Sequence, residues 1–321
     1  MALINLPSVA QIVIGLFTLL GLYNLYWQLT VGASRRRMIR ENGCKPVKRL
    51  PTRDPIFGLD MFRESLKNLK EHKFLKGGFE RFKLMGNTFD VRTVTGIIVL
   101  TIEPENLKEI LSLQFKSFSL GYRRKIAFQT LLGPGIFATD GAAWQHSRDL
   151  LRPNFVRAQV GDLRTFETHV SHLIQAIPRD GSTVNLQDLF FRLTIDSATE
   201  FLFGESTNCL APGTSTESST RFAEAFNRSQ DAIGRHARFG PLGILIPDPQ
   251  FARDAKYVHA FVDGLVEKCM ARRETQDPEK GDGRYVFLQQ LVTQTQDKYQ
   301  IRSELLNVLL AGRDTTASLL R

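Results

Sequence analysis

The feature that most constrains this chain is a division of charge near its start. Residues 1–34 carry no charge, whereas residues 35–53 hold eight Lys or Arg and a single acid, Glu41. That stretch supplies +7 of the formal net charge of +9. A basic chain of this size would suggest nucleic acid if the charge were spread over its surface. Confined beside an apolar run, it points to a membrane surface and away from nucleic acid. Val9 to Trp27 is interrupted only by uncharged polar residues, and at about 1.5 Å per residue it nearly matches a hydrocarbon core of about 30 Å. Tyr23, Tyr26 and Trp27 gather at its C-terminal end, where an interfacial aromatic belt belongs. Positive charge follows the run instead of preceding it, which disfavours a cleaved leader and places Arg35 and all that follows in the cytosol. Residues 1–34 are therefore expected to be a single-pass anchor, with residues 35–58 a basic, proline-bearing linker.

The remaining 59–321 reads as a mainly α unit with a small β-sheet. Helical spacing covers Phe57–Leu84; two β-branched runs, Thr88–Thr93 and Ile97–Ile102, predict a hairpin. A short helix begins at Pro104, and Gln114–Thr139 reads as a long, apolar, irregular loop. Asp140 is expected to cap a helix that runs to about Arg152, before Pro153. Further helices fit Val156–Ala176, Leu186–Phe203, Arg221–Phe239, Pro249–Glu274, Phe287–Thr295 and a last one from about Ser303. Glu205–Thr220 and Asp277–Arg284 have the composition of surface loops. Cys44, Cys209 and Cys269 are odd in number and in no metal-ligating spacing, consistent with a reducing compartment and no protein metal site.

Two clusters carry chemistry. Trp144 and Arg148 stand four apart on one helix face, an indole N–H beside a guanidinium fork, suited to a carboxylate or phosphate; a plain surface stack has the same spacing. The second cluster is Ala311-Gly312-Arg313-Asp314-Thr315-Thr316 in the last helix. Ala311 and Gly312 remove bulk, so that a flat group can approach the backbone, while Asp314 and Thr315 add an acid and a hydroxyl suited to moving protons. A helix crossing at small residues would explain the same hexapeptide equally well.

Together these clusters resemble the cytochrome P-450 superfamily of haem-thiolate monooxygenases. Leu131–Phe137 (LLGPGIF), Arg148–Phe155 (RDLLRPNF), Asp196–Ser206 (DSATEFLFGES) and Leu305–Thr316 extend the resemblance, which is to the fungal microsomal alkane- and fatty-acid-hydroxylating branch. The resemblance implies that Trp144 and Arg148 bind haem propionates, that Ala311 and Gly312 line the distal groove, and that Thr315 and Asp314 serve oxygen activation and its proton relay. It places Phe118, Tyr122 and Phe137 on a substrate-facing loop and Gly240–Pro247 as an apolar loop at the membrane. Arg123 and Arg124 are candidates for a substrate carboxylate, and Arg152 and Arg157 for reductase docking. It further implies haem b, electrons from NADPH through the flavins of NADPH-cytochrome P-450 reductase, long-chain aliphatic substrates, and an endoplasmic reticulum membrane location.

The family's cysteine loop, Phe-x-x-Gly-x-Arg-x-Cys-x-Gly, and its Glu-x-x-Arg helix are not found in these residues. The expectation is thus a C-terminally truncated P-450-like fold, its axial cysteine beyond Arg321, inactive alone. The chain should bind no haem with thiolate ligation and fold poorly, its last helix leaving Leu305, Leu306, Leu309 and Leu310 uncovered. An alternative is a non-catalytic, membrane-anchored lipid-binding remnant of the same fold; an unrelated helical scaffold is the third reading.

Overall fold

A computed structural model describes residues 9–94, 96–156, 163–211, 213–214, 216–239, 247–275 and 286–320. It divides into two compact units, Met1–Leu107 and Lys108–Arg321.

In the first unit, α1 (Val9–Trp27) runs through a wide π turn, Gln28–Gly32, into α2 (Ala33–Glu41). The candidate span is Val13–Glu41, and none of its apolar window is covered by protein. Arg35 lies over the Trp27 ring at 5.4 Å, and Arg36 donates to the side chain and carbonyl of Gln28, so the basic block begins by folding back on the aromatic end. The expected Phe57–Leu84 helix is two helices, α3 (Leu59–Lys70) and α4 (Phe74–Met85), broken at Glu71–Lys73 where His72 takes a positive φ of 56°. The hairpin is antiparallel, β1 (Thr88–Thr93) with β2 (Gly96–Thr101), and pairs Thr88 with Thr101 and Thr93 with Gly96. The free edge of β1 is partly occupied: Leu50 donates to the Asp90 carbonyl, the Asp90 amide donates to Lys48, and Arg49 grips the Asp90 carboxylate through two bonds. Leu50, Met61, Phe89 and Val91 form this unit's core.

α5 (Pro104–Lys108) crosses the boundary between the units. The second unit is helical: α6 (Gly121–Leu132), α7 (Gly141–Leu151), α8 (Arg164–Ala176), α9 (Leu186–Phe203), α10 (Glu217–Phe239), α11 (Pro249–Thr275), α12 (Phe287–Gln294) and α13 (Lys298–Leu320). α13 packs along α9 and also touches α6, α11 and α12. Leu305, Leu306 and Leu309 are fully buried and Leu310 packs against the same core, so the expectation of an uncovered last helix is wrong. Neighbours within the unit already supply the apolar contacts, each worth about 1.5–3 kcal/mol for a buried leucine.

Other expectations also need correction. The predicted irregular loop Gln114–Thr139 contains α6, whose buried residues Ala127, Leu131 and Leu132 crowd its C-terminal half. Asp140 stands at the start of α7 but makes no capping bond. Its carboxylate accepts from the Leu120 amide (2.9 Å) and pairs with Lys125 (3.1 Å), which hold it below the usual carboxylate range. Glu205–Thr220 is not simply a surface loop, since Thr207, Leu210 and Ala211 are buried and α10 already begins at Glu217. α8 starts at Arg164, and the predicted Val156–Ala176 helix passes through residues outside those described; the expected loop Asp277–Arg284 and nearly all of the expected apolar loop Gly240–Pro247 also lie outside them.

Candidate active site

The two clusters meet at one cavity of about 690 Å³ inside the second unit. Its walls come from α7 and the 3-10 turn Arg152–Phe155 that follows, from Phe166 of α8, from α9, from α13, and from Ile136 and Phe137 of the segment between α6 and α7. The RDLLRPNF motif explains the turn: Pro153 cannot continue α7, and the tighter coil brings Phe155 round to the cavity. Asn154, buried beneath it, donates to the carbonyls of Leu150 and Leu151. Phe155 and Phe201 also meet Phe287 edge-on or tilted, at 5.7 and 6.0 Å.

α13 presents Val308, Ala311, Gly312 and Thr316 to the cavity. A Cβ built on Gly312 would meet only the Cβ of Ala198, at an ordinary 3.9 Å. The protein itself therefore does not require a glycine there; the room opens into the cavity. Arg148 and Arg152, both exposed, are the two cations in its lining. An apolar slot with backbone-sized surface on one wall and two guanidinium forks fits a flat apolar macrocycle that carries two carboxylates. Its lining offers no thiolate that would hold the iron of such a group. None of the three cysteines lines the cavity, and burial, reinforced by Asp196, pushes the Cys209 thiol up to about 11, away from thiolate character.

The structure brings together only some of the predicted site residues. Arg148, Ala311, Gly312 and Phe137 line the cavity. Trp144 does not; it holds Arg148 over its ring at 5.4 Å and is itself backed by Phe115 at 5.0 Å, so the stack and the clamp are one arrangement. Thr315 lies one residue before the lining Thr316, exposed, with its hydroxyl donated to the Ala311 carbonyl at 2.7 Å. Asp314 points to α10, where it accepts from Gln230 Nε2 (2.8 Å) and from the buried Arg313 (2.6 Å). Burial raises the Asp314 carboxyl above its usual range despite Arg313, while Arg313 lies 4.4 Å above the Phe191 ring and also donates to Gln230. Phe118 and Tyr122 are exposed and outside the cavity lining. Arg124 packs between Phe128 and Phe137 and donates to the Phe137 carbonyl (2.9 Å), a strut of the wall and not an open fork. Arg157 lies outside the described residues.

Sequence reasoning missed Arg152 as a cavity residue, together with Gln230, whereas Thr316 belongs to the second cluster and does line the cavity. Arg152 stands four positions after Arg148, the same helical spacing that drew attention to Trp144, and that was the available signal. Gln230 gave none, because it acts across 83 and 84 residues of sequence.

The cytochrome P450 family model matches residues 49–321. The chain belongs to the cytochrome P450 family. A cytochrome P450 monooxygenase of Aspergillus japonicus is 42% identical over 319 residues, which cover 98% of this chain and 57% of the relative. Cytochrome P450 52A12 of Debaryomyces hansenii is 40% identical over 278 residues, 83% of this chain and 53% of the relative. Cytochrome P450 52A9 of Candida maltosa is 38% identical over 298 residues, 89% and 56%. The chain thus spans little more than half the length of these curated relatives. Membership of the P450 family implies haem iron.

Proposed function

We propose that this chain is the anchoring and distal part of a membrane-bound P450 monooxygenase that hydroxylates long-chain alkanes or fatty acids. The observation that carries the reading is the single cavity in which an apolar wall, the Ala311–Gly312 gap and the Arg148 and Arg152 guanidiniums meet. Haem, when bound, supplies an iron that activates dioxygen for insertion into a C–H bond. The chain's own residues do the rest. Arg148, braced on Trp144, and Arg152 hold carboxylates at the mouth. Ala311 and Gly312 admit a flat ring against α13, and Ile136, Phe137, Phe155 and Phe201 exclude water and receive an aliphatic chain. Asp314, held by Gln230 and Arg313 with its carboxyl raised by burial, is the acid assigned to proton transfer, next to Thr315 in the sequence.

On this reading none of Cys44, Cys209 and Cys269 is the cysteine that would hold the haem iron. The anchor sits in the endoplasmic reticulum, and the electrons arrive from NADPH through a flavin-bearing reductase. The relatives of the cytochrome P450 52 group support the aliphatic assignment. The test uses the full-length gene product in microsomes with its reductase and NADPH. Hexadecane or dodecanoic acid should yield a hydroxylated product detected by mass spectrometry. Haem incorporation without product from any alkane or alkanoic acid would overturn the substrate class. Absence of a thiolate-type carbon monoxide band would favour the non-catalytic lipid-binding alternative.

A further inference from the structure

The cavity wall formed by Ile136 and Phe137 is held in place from behind. Asn307 stands one turn before Ala311 on α13, and Glu304 stands nearly one turn earlier still. The Asn307 amide donates from Nδ2 to the Leu132 carbonyl (3.1 Å) and accepts at Oδ1 from the Phe137 amide (3.0 Å). One side chain therefore closes both ends of the Leu132–Phe137 segment. Glu304 Oε2 accepts from the Ile136 amide at 3.3 Å. The two glycines of the LLGPGIF motif are where this segment lies flat on the helix. A Cβ on Gly133, whose φ is +66°, would overlap the Ser303 hydroxyl, and one on Gly135 would overlap the Asn307 amide. Ser303, Glu304 and Asn307 are all buried, Glu304 and Asn307 completely. Burying a carboxyl and an amide is costly where a leucine would pack as well, so packing alone does not account for them.

Resting on the aliphatic reading above, we infer that Asn307 and Glu304 are positioning residues: by fixing the Ile136 and Phe137 amides they set where the cavity's loop wall stands, and so the length of aliphatic chain it admits. The wall residues touch the ligand; Asn307 and Glu304 act through them. A methylene that still fits should tighten binding by about fourfold, and one that meets a fixed wall should not. A fixed wall therefore gives a length optimum, and a loosened wall lengthens or flattens it.

The test uses the full chain in phospholipid nanodiscs, with empty discs as the reference. Dissociation constants for alkanoic acids of eight to sixteen carbons are measured alongside hydrogen exchange at Ile136 and Phe137. Asn307→Leu should speed exchange at both amides by about tenfold or more, leave the α13 amides protected, and move the optimum to longer acids or abolish it. Asn307→Asp keeps the acceptor for the Phe137 amide but loses the donor to the Leu132 carbonyl, so it should leave Phe137 exchange slow and move the optimum less than Asn307→Leu does. Gly135→Ala displaces the segment without altering α13, and should shift the optimum even if Asn307→Leu does not fold. Faster exchange with an unmoved optimum, or unchanged exchange in Asn307→Leu, would overturn the inference. If the unaltered chain binds none of the acids, the aliphatic reading fails and the chain-length inference falls with it, while the exchange data still decide whether Asn307 holds the wall.

Discussion

Replacing Asp196 tests whether the DSATEFLFGES motif is architecture or chemistry. Asp196 is completely buried in α9, and its carboxylate accepts from the Thr207 hydroxyl (2.7 Å), the Cys209 amide (2.7 Å) and the Leu210 amide (2.9 Å). It ties the segment after α9 back onto that helix. The motif's other polar members do related work: Thr199 accepts from the Thr207 amide at 3.2 Å, and Glu200 pairs with the buried His169 of α8. Asp196→Ala removes the acceptor from three buried donors at once. Each donor left unpaired costs about 1–3 kcal/mol, and a water entering the gap would recover part of that, so the total should be about 3–5 kcal/mol. Against a typical stability of about 5–15 kcal/mol this is a large share. Asp196→Asn keeps Oδ1 for Thr207 and Cys209 but turns an NH₂ toward the Leu210 amide, and should cost roughly half as much. The assay is urea unfolding of the chain in detergent at pH 7, followed by near-UV circular dichroism. With a slope of about 2 kcal/mol/M, Asp196→Ala should lower the midpoint by roughly 2 M and Asp196→Asn by roughly 1 M. A loss below about 0.5 M for the alanine variant would refute the argument.

Glu304 gives a pH prediction. Burial raises its carboxyl, and Ser147, the Ile136 amide and the field of His146 only partly oppose that. The folded state therefore holds the proton more tightly than the unfolded chain does, so stability should fall as pH rises from the ordinary glutamate value of about 4.5 through the raised one. Glu304→Gln should remove this slope from urea midpoints measured between about pH 4.5 and 8; an unchanged slope would reassign it. Orientation is tested separately: a glycosylation acceptor placed just after Arg40 should stay unmodified in microsomes, and its efficient glycosylation would reverse the proposed topology.

What was legible in the sequence was local. Trp144 with Arg148, and Ala311 with Gly312, Asp314 and Thr315, stand within one or two turns of each other, so helical spacing alone groups them. The β-branched runs of the hairpin and the long amphipathic helices were visible for the same reason. α6 was not, because GYRRKIAFQTLL has no clear apolar stripe: its buried residues are confined to the last turns, against α13 and α11. The break between α3 and α4 has neither Gly nor Pro to mark it, and His72 supplies the positive φ unaided. The burial of Leu305, Leu306 and Leu309 was misjudged because their partners lie far off in sequence. The clasp on the cavity wall was invisible for that reason too, since Asn307 reaches Leu132 and Phe137 across 175 and 170 residues. Glu304 and Asn307, standing among Leu305, Leu306, Leu309 and Leu310, were its only trace.

Gly312 separates the two readings that the hexapeptide left open. If Gly312 marked a tight helix crossing, an added methyl would strike a neighbour, and overpacking of that kind costs about 1–3 kcal/mol. The structure shows no such neighbour: a new Cβ would touch only that of Ala198, at 3.9 Å. Glycine inside a helix is about 1 kcal/mol less favourable than alanine, so Gly312→Ala should stabilise the chain by up to about 1 kcal/mol and raise its urea midpoint by a few tenths of a molar. The same methyl would stand in the cavity beside Ala311 and Thr316, where a flat ring bound as proposed would need the space. Protoporphyrin IX, followed by its own fluorescence, provides a readout that depends on neither iron nor turnover. Its affinity should fall several-fold in Gly312→Ala while stability holds or rises. A destabilised variant would restore the helix-crossing reading. A stable variant with undiminished porphyrin binding would mean that the ring does not lie against Gly312, and the cavity would then have to be assigned to the aliphatic ligand alone.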